Sequence, residues 1–150
     1  MKLCFVGTGY VGLVSGACFA DLGNEVYCVD KDKEKISNLK KGIIPIYEPG
    51  LDELVKKNFK AERLNFTTDF KEAITKSNII FICVGTPTKK NSDSADLSQI
   101  YNVARQIRRY IKKFKIIITK STVPITTGDE IEKILKEKKS KKLFAVVSNP

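Results

Sequence analysis

The sequence predicts an α/β fold in which six parallel strands form a doubly wound sheet with helices on both faces. Short apolar runs alternate with helical patterns along all 150 residues, and this alternation is typical of a parallel sheet. The strand runs are nearly continuous in apolar residues, as expected when both faces of a sheet are covered. Six such runs match the strand order 3-2-1-4-5-6, and we expect residues 1–150 to form a single domain.

The first three elements are a strand, a helix and a second strand. Residues 3–6 are uniformly apolar, residues 10–22 form an apolar helical stretch rich in small residues, and residues 25–30 form a strand that ends in an acid. Residues 31–41 then predict a polar, lysine-rich helix. Gly42 follows at the position where a glycine commonly ends a helix.

The middle of the chain adds a short strand, a helix and a strong strand. Residues 64–66 are the short strand candidate. Asp69 opens the helix with Glu72 three residues later, which is a capping-box pattern. Residues 79–84 give the next strand. The loop that follows, residues 85–95, has a length at which a functional role is suspected.

A long helix follows this loop. Asp96 is predicted to cap it, with Gln99 at the matching position of a capping box. Its apolar stripe continues at three- and four-residue spacing through Ile107, Ile111 and Phe114.

The last elements continue the alternation of strand and helix. Residues 115–119 form a strand. Thr127 and Glu130 form a further capping box before a helix whose apolar positions include Ile131. Residues 143–147 close the series as the sixth strand.

A glycine-rich turn, Gly-Thr-Gly-Tyr-Val-Gly at residues 7–12, joins the first strand to the first helix. This context is the one in which a GxGxxG pattern indicates dinucleotide binding in a Rossmann-type sheet. Gly7 permits the tight turn, Gly9 lets the backbone approach a pyrophosphate, and Gly12 lets the helix pack closely. The helix N-terminus then offers free N–H groups and a partial positive charge to the phosphates.

An acid ends the second strand where a dinucleotide fold places its ribose ligand. Asp30 lies 18 residues after Gly12, and an acid there favours NAD over NADP because it disfavours a 2′-phosphate. Lys31 and Lys33 weaken this preference slightly, since they could attract a phosphate. The alternative is a plain strand-to-helix turn in which Asp30 caps the next helix. The turn and the acid together favour NAD as cofactor.

Two later turns open over the same place. In this topology the first and fourth strands are neighbours, and ligands bind at the switch point between them. The fourth strand ends in Val-Gly-Thr-Pro at residues 84–87, and the fifth in Lys-Ser-Thr-Val-Pro at residues 120–124. Both turns offer hydroxyl groups with little bulk, so we expect them to border the crevice.

Composition excludes several classes of function. The chain has four cysteines, no Cys-x-x-Cys pair and no histidine, so a zinc site is not expected. Each cysteine lies in an apolar stretch, and we expect all four to be buried and reduced rather than nucleophilic. No apolar run approaches the roughly 20 residues of a membrane span, and no secretory signal is evident, so we expect a cytoplasmic protein without membrane contact.

The net charge of +10 makes a nucleic-acid-binding protein an alternative to consider. The lysines lie in predicted helical stretches without interleaved aromatic residues. We therefore interpret them as solvated helix surfaces, and no nucleic-acid partner is expected. The lysine-rich segments are residues 31–41, 56–60, 112–115 and 133–142.

The chain resembles the N-terminal part of the nucleotide-sugar dehydrogenases, along its whole length. The resemblance rests on VGTGYVG at 6–12, PIYEPGL at 45–51, VGTPT at 84–88 and KSTVP at 120–124. SNP at 148–150 resembles the start of a fifth motif. The family oxidises the 6-hydroxyl of a UDP- or GDP-sugar to a carboxylate in two NAD-dependent steps, through a cysteine-bound intermediate. PIYEPGL and KSTVP favour UDP-glucose over GDP-mannose or UDP-N-acetylmannosamine as substrate.

The resemblance also implies roles for individual residues. Asp30 would bind the ribose with support from Lys35, and Thr86 would contact the cofactor. Thr122 would lie at the nicotinamide end, as a catalytic residue that helps to order a water molecule. The segment 45–51 would form part of the surface beside the cofactor. The pyrophosphate would rest on Gly7, Gly9 and Gly12, with backbone N–H groups from Tyr10 and Val11.

The family's nucleophilic cysteine and its partner residues belong to later domains, as does most of the uridine-nucleotide pocket. The resemblance therefore implies that residues 1–150 bind NAD but turn nothing over alone. The full enzymes of the family associate as homo-oligomers, largely through a central helical region outside these motifs. A stand-alone dinucleotide-binding module remains the alternative from a different functional class.

Overall fold

One six-stranded sheet organises the computed structural model, which describes residues 1–89, 94–137 and 143–150. The strand order is β3-β2-β1-β4-β5-β6 and every neighbouring pair is parallel, which confirms the predicted doubly wound sheet. The strands are β1 Lys2–Val6, β2 Glu25–Val29, β3 Leu64–Thr67, β4 Ile79–Ile82, β5 Lys115–Thr119 and β6 Phe144–Ser148. Residues 90–93 of the predicted loop and 138–142 of the last lysine-rich segment lie outside the described residues.

Six helices are assigned within the described part of the chain. They are α1 Tyr10–Asp21, α2 Lys33–Lys40, α3 Leu51–Lys60, α4 Phe70–Lys76, α5 Ser98–Tyr110 and α6 Thr127–Lys136. Helix α3 is not among the predicted elements, because Gly50 precedes it in a left-handed conformation and no side chain caps it. None of the described helices has the length and apolar content needed to cross a bilayer.

Both faces of the sheet are buried, as its apolar runs predict. Residues of α1, α2 and α3 cover one face, and residues of α4, α5 and α6 cover the other. On the first face the rings of Phe5 and Phe81 stack with centroids 4.5 Å apart, and Phe19 tilts against both. The two apolar layers therefore fix the carboxyl ends of β1 and β4 side by side.

Two of the predicted helix ends are confirmed. The Asp69 carboxylate accepts a hydrogen bond of 2.9 Å from the Glu72 amide at the start of α4. At the end of α2, Gly42 adopts φ +76° and its amide donates to Leu39. The Ile43 amide closes the same turn by donating to the carbonyl of residue 38, which is the pattern of a Schellman motif.

The predicted capping boxes of the last two helices are wrong. Asp96 accepts from the Ser98 amide at 2.9 Å, so it forms a turn before α5 rather than a cap on the residue three further on. Helix α6 begins one residue earlier than the prediction requires, with Thr126 at its N-cap. Thr127 is already helical, its hydroxyl is buried, and no hydrogen-bond partner for it occurs within the described residues.

The predicted apolar stripe of α5 extends too far. The helix ends at Tyr110, and Ile111 is extended but still buried. Phe114 is 57% exposed, because the chain leaves the helix there to enter β5 at Lys115. The periodicity thus continues past the helix that it predicts.

Two helical glycines, Gly16 in α1 and Gly128 in α6, test how closely the helices pack, and alanine at each should have an opposite effect on stability. A Cβ atom at Gly16 would lie 2.6 Å from the Cys28 sulfur, whereas one at Gly128 would meet nothing within 4 Å. Gly16→Ala should destabilise the fold by about 1–3 kcal/mol through overpacking. Gly128→Ala should stabilise it by up to about 1 kcal/mol through helix propensity. Urea denaturation measures both.

A Cys28→Ala background serves as the control for steric origin. Removing the sulfur should relieve most of the penalty of Gly16→Ala, because the new methyl group then has space. An equal penalty in both backgrounds would show that α1 is not held at this distance by Cys28.

Candidate functional site

A cavity of about 430 Å³ opens where the carboxyl ends of β1, β2 and β4 meet. Val6 and Gly7 line it from β1, and Asp30 follows β2 along its wall. Cys83 and Gly85 line it after β4. This position is the predicted switch point between the first and fourth strands.

The glycine turn is packed tightly on one side and open on the other. Gly7 has φ +100°, and a Cβ atom there would lie 2.9 Å from the Cys83 carbonyl oxygen. A Cβ atom at Gly12 would lie 1.9 Å from the Gly7 carbonyl oxygen. A Cβ atom at Gly9 would meet nothing within 4 Å, so the backbone there remains accessible from the cavity.

Helix α1 begins directly beside this open backbone. Gly9 is its N-cap, no side chain caps it, and its first turn contains no acid. The N–H groups of the first turn, including those of Tyr10 and Val11, lack intrahelical acceptors in any α-helix. The helix start therefore combines free donors with the positive end of the dipole, as an anion site requires.

The carboxylate of Asp30 is held by four donors. Its Oδ2 accepts from the Thr8 amide at 2.9 Å, from the Thr8 hydroxyl at 2.8 Å, and from Lys35 Nζ at 3.3 Å. Its Oδ1 accepts from the Asp32 amide at 3.1 Å. Asp32, rather than Asp30, caps α2 by accepting from the Lys35 amide, so the alternative role of Asp30 as a helix cap is wrong.

These donors determine the charge of Asp30. Burial acts to raise the pKa of the carboxyl, but the hydrogen bonds from Thr8 and Asp32 and the Lys35 ammonium outweigh burial. The pKa lies below its ordinary value of 3.8. Asp30 is therefore a fixed anion at neutral pH, on the wall of the cavity.

The two later turns meet beside the cavity rather than inside it. The Thr86 hydroxyl donates to the Thr122 carbonyl at 3.3 Å, and the Ser121 hydroxyl donates to the Val84 carbonyl at 2.7 Å. Neither Thr86 nor Thr122 is among the residues that line the cavity, although Gly85, next to Thr86, does line it. These bonds join the ends of β4 and β5 into one rim.

The segment 45–51 reaches the glycine turn through one side-chain contact. The Tyr10 hydroxyl donates to the Glu48 carboxylate, and this bond raises the pKa of the tyrosine. Tyr10 is half exposed at the start of α1. The segment 45–51 therefore borders the glycine turn through this contact.

The structure thus brings together four of the predicted residues in one cavity, Gly7, Gly9, Asp30 and Lys35. The other predicted residues are neighbours of this lining but do not form it, namely Tyr10, Val11, Gly12, Thr86 and Thr122.

Sequence reasoning missed two groups of residues at this site. Thr8 has no signal of its own, because its position in the GxGxxG pattern accepts any residue. Gln99, Asn102 and Gln106 line the cavity from α5. Their three- and four-residue spacing forms an amide stripe beside the apolar stripe, and this periodicity was the available signal.

Two of the four cysteines, Cys4 and Cys28, are buried as predicted, whereas Cys83 is only half-buried and Cys18 is exposed. Burial raises the pKa of Cys4 and Cys28, and it raises the pKa of Cys83 to about 12. Cys83 is half-buried and lines the cavity as a thiol. Cys18 is exposed, so its predicted burial is wrong; it lies between the buried positions of α1 that face the sheet.

Comparison with known protein families gives a match over the whole chain. The model for the NAD-binding domain of the UDP-glucose/GDP-mannose dehydrogenase family matches residues 1–150. A UDP-glucose 6-dehydrogenase of Rhizobium meliloti (strain 1021) is 55% identical over 150 residues, which cover 100% of this chain and 34% of that protein.

Two solved structures share the fold closely. The GDP-mannose dehydrogenase of Pseudomonas aeruginosa, solved as a ternary complex, superposes with a TM-score of 0.94 and 38% identity, over 100% of this chain and 36% of that one. The UDP-glucose dehydrogenase of Pyrobaculum islandicum gives 0.92 and 35% identity, over 99% and 35%. The chain spans about a third of the length of the relatives that it matches.

The anchored carboxylate makes stability depend on pH. Because the pKa of Asp30 is lowered in the fold, its contribution is complete above the unfolded pKa near 3.8 and is lost as pH falls through the folded pKa. Asp30→Asn should lower the free energy of unfolding by about 1–2 kcal/mol at pH 7, through weaker hydrogen bonds. The difference from wild type should shrink below pH 3.8 in urea titrations. A difference independent of pH would contradict the anchored anion.

Proposed function

The chain belongs to the UDP-glucose/GDP-mannose dehydrogenase family, as its NAD-binding domain, and we propose that it serves a UDP-glucose 6-dehydrogenase. Such an enzyme oxidises UDP-glucose to UDP-glucuronate with two molecules of NAD. The proposed substrate is supported by the 55% identity to the Rhizobium meliloti UDP-glucose 6-dehydrogenase. We also propose that residues 1–150 act as one domain, since a single sheet runs from Lys2 to Ser148.

The cavity fits a dinucleotide by its shape and by its donors. Its backbone is open at Gly9, its helix start offers N–H groups without a side-chain cap, and its wall carries the anchored Asp30. We propose that the pyrophosphate lies over Gly9 and the first turn of α1, while the adenine-side ribose hydroxyls donate to Asp30. Lys35 would hold the carboxylate in place, as it does in the structure.

NAD supplies the hydride acceptor when it is bound, and the chain supplies its position. The proposed nicotinamide end lies toward the rim where the Thr86 hydroxyl meets the Thr122 carbonyl. Because this bond uses the Thr122 backbone, the Thr122 hydroxyl stays available, and we propose that it orders a water molecule near the reacting carbon. The Ser121 bond to Val84 would keep this rim from shifting.

One observation carries this proposal more than any other. Open backbone at Gly9 and a fixed anion at Asp30 stand on the walls of one cavity, and a dinucleotide needs both at once. A plain strand-to-helix turn would need neither the clear space nor the anchored charge.

Gly9→Ala tests the cofactor site without disturbing the fold. The added methyl group meets no protein atom, so the free energy of unfolding should change by less than about 1 kcal/mol. The same methyl group would stand where the pyrophosphate approaches, and calorimetry should show NAD binding at least about tenfold weaker. Gly128→Ala, also in open space but on α6, is the matched control and should bind NAD normally. Equal NAD affinity in both variants would reject this placement of the pyrophosphate.

A second test concerns turnover by residues 1–150 alone. We expect these residues to bind NAD but to form no NADH from UDP-glucose. The cysteine that lines the cavity, Cys83, has its pKa raised to about 12 and lacks the thiolate that a nucleophile needs. NADH fluorescence measures the reaction, with NAD binding verified in the same sample. NADH formation in proportion to the protein concentration would refute this expectation.

A further inference from the structure

Thr8 contributes two of the three donors on one oxygen of Asp30. Its amide and its hydroxyl both reach Oδ2, at 2.9 and 2.8 Å, and the third donor is the Lys35 ammonium at 3.3 Å. The residue is fully buried within the glycine turn. Packing alone would not require a hydroxyl group at this buried position, so the hydrogen bond to Asp30 accounts for the threonine.

We propose that Thr8 is a positioning residue that sets the preference for NAD over NADP, by holding Asp30 in one rotamer. This inference rests on the proposed role of Asp30 at the adenine-side ribose. Thr8 itself touches no ligand in the proposal. It acts through the direction in which the carboxylate presents its second oxygen.

The count of donors explains this direction. A carboxylate oxygen accepts about two hydrogen bonds through its lone pairs, and Oδ2 already receives three donors. Oδ1 receives only the Asp32 amide, so it retains capacity for a ribose hydroxyl. With Asp30 fixed this way, the 2′-phosphate of NADP would be repelled by a carboxylate that cannot rotate away from it.

Loss of the Thr8 hydroxyl would release this constraint. The carboxylate could then turn toward Lys35, which already contacts it, and toward Lys31, which lines the same cavity. That movement would shift negative charge away from the 2′ position and leave more room for a phosphate. NAD would lose a well-placed acceptor, whereas NADP would lose a repulsive contact.

The acid limb of NAD binding depends on the charged groups around Asp30. Lys35 contacts its carboxylate, Lys31 lines the same cavity, and Asp32 lies beside it as the cap of α2. The other polar or reactive groups of the cavity wall are uncharged: Thr68 before α4, Cys83 after β4, and Gln99, Asn102 and Gln106 on α5. Cys83 is a thiol at neutral pH because burial raises its pKa to about 12. Asp32 is also a carboxylate, so a change in the acid limb of NAD binding reports on Asp30 when it disappears in Asp30→Asn.

The test compares wild type with Thr8→Val and Thr8→Ser by calorimetry with NAD and with NADP. Valine keeps the shape and the amide but removes the hydroxyl, and serine restores it. Thr8→Val should weaken NAD binding by about 5- to 10-fold, as expected when the binding rotamer of Asp30 falls to about 10–20% of the population, and should reduce the NAD-to-NADP affinity ratio at least as much. Its NAD affinity should begin to fall at a higher pH than in wild type, because the carboxylate loses a donor. Thr8→Ser should restore both readouts.

The outcomes separate this inference from the proposed function. An unchanged affinity ratio and acid limb in Thr8→Val, or a Thr8→Ser variant that behaves like it, would overturn the role of Thr8. Equal losses of NAD and NADP would also overturn it, since they indicate a packing role only. Failure of the wild type to bind either dinucleotide would instead refute the proposed function, and an unchanged ratio in Asp30→Asn would refute the role of Asp30. If Thr8→Val does not fold, Thr8→Ala replaces it in the same comparison.

Discussion

The close approach of helix α1 to the sheet is the constraint on which the site depends. At Gly12 a Cβ atom would lie 1.9 Å from the Gly7 carbonyl, and at Gly16 it would lie 2.6 Å from the Cys28 sulfur. Any side chain at these two positions would push the helix away from β1 and β2. The free N–H groups at the helix start would then no longer stand beside the open backbone of Gly9. The same glycines thus serve the packing of the core and the geometry of the cavity.

Charge is arranged within this geometry on a small scale. The chain carries a net charge of +10, yet the cavity wall places an anchored anion at Asp30 among Lys31 and Lys35. The nearby start of helix α1 supplies positive potential without a basic side chain. In the proposed placement, the pyrophosphate and the adenine-side ribose of NAD therefore meet two different environments, which the overall charge of the protein does not determine.

The sheet and the core of the site could be predicted from the sequence because their signals are local and strong. Buried strands are continuous apolar runs, and the glycines of residues 7–12 lie between a predicted strand and a predicted helix, which is the context that a dinucleotide turn requires. Helix ends were less predictable, since the Asp96 carboxylate accepts a hydrogen bond from the Ser98 amide rather than from the amide of Gln99. Helix α3 was missed because a left-handed glycine starts it without a side-chain cap. The contact of Thr8 could not be found at all, because its hydrogen bond joins it to Asp30, 22 residues later in the sequence.

The proposed cofactor site is tested most directly by a titration of the ¹⁵N-labelled chain with NAD, followed by backbone amide chemical shifts. We expect saturable shifts concentrated at residues 7–12, 30–35 and 83–86, with the amides of the first turn of α1 among the largest. The amides of the α5–α6 surface remote from the cavity should stay unchanged. Shifts that avoid residues 7–12, or that spread over the lysine-rich helix surfaces instead, would contradict it.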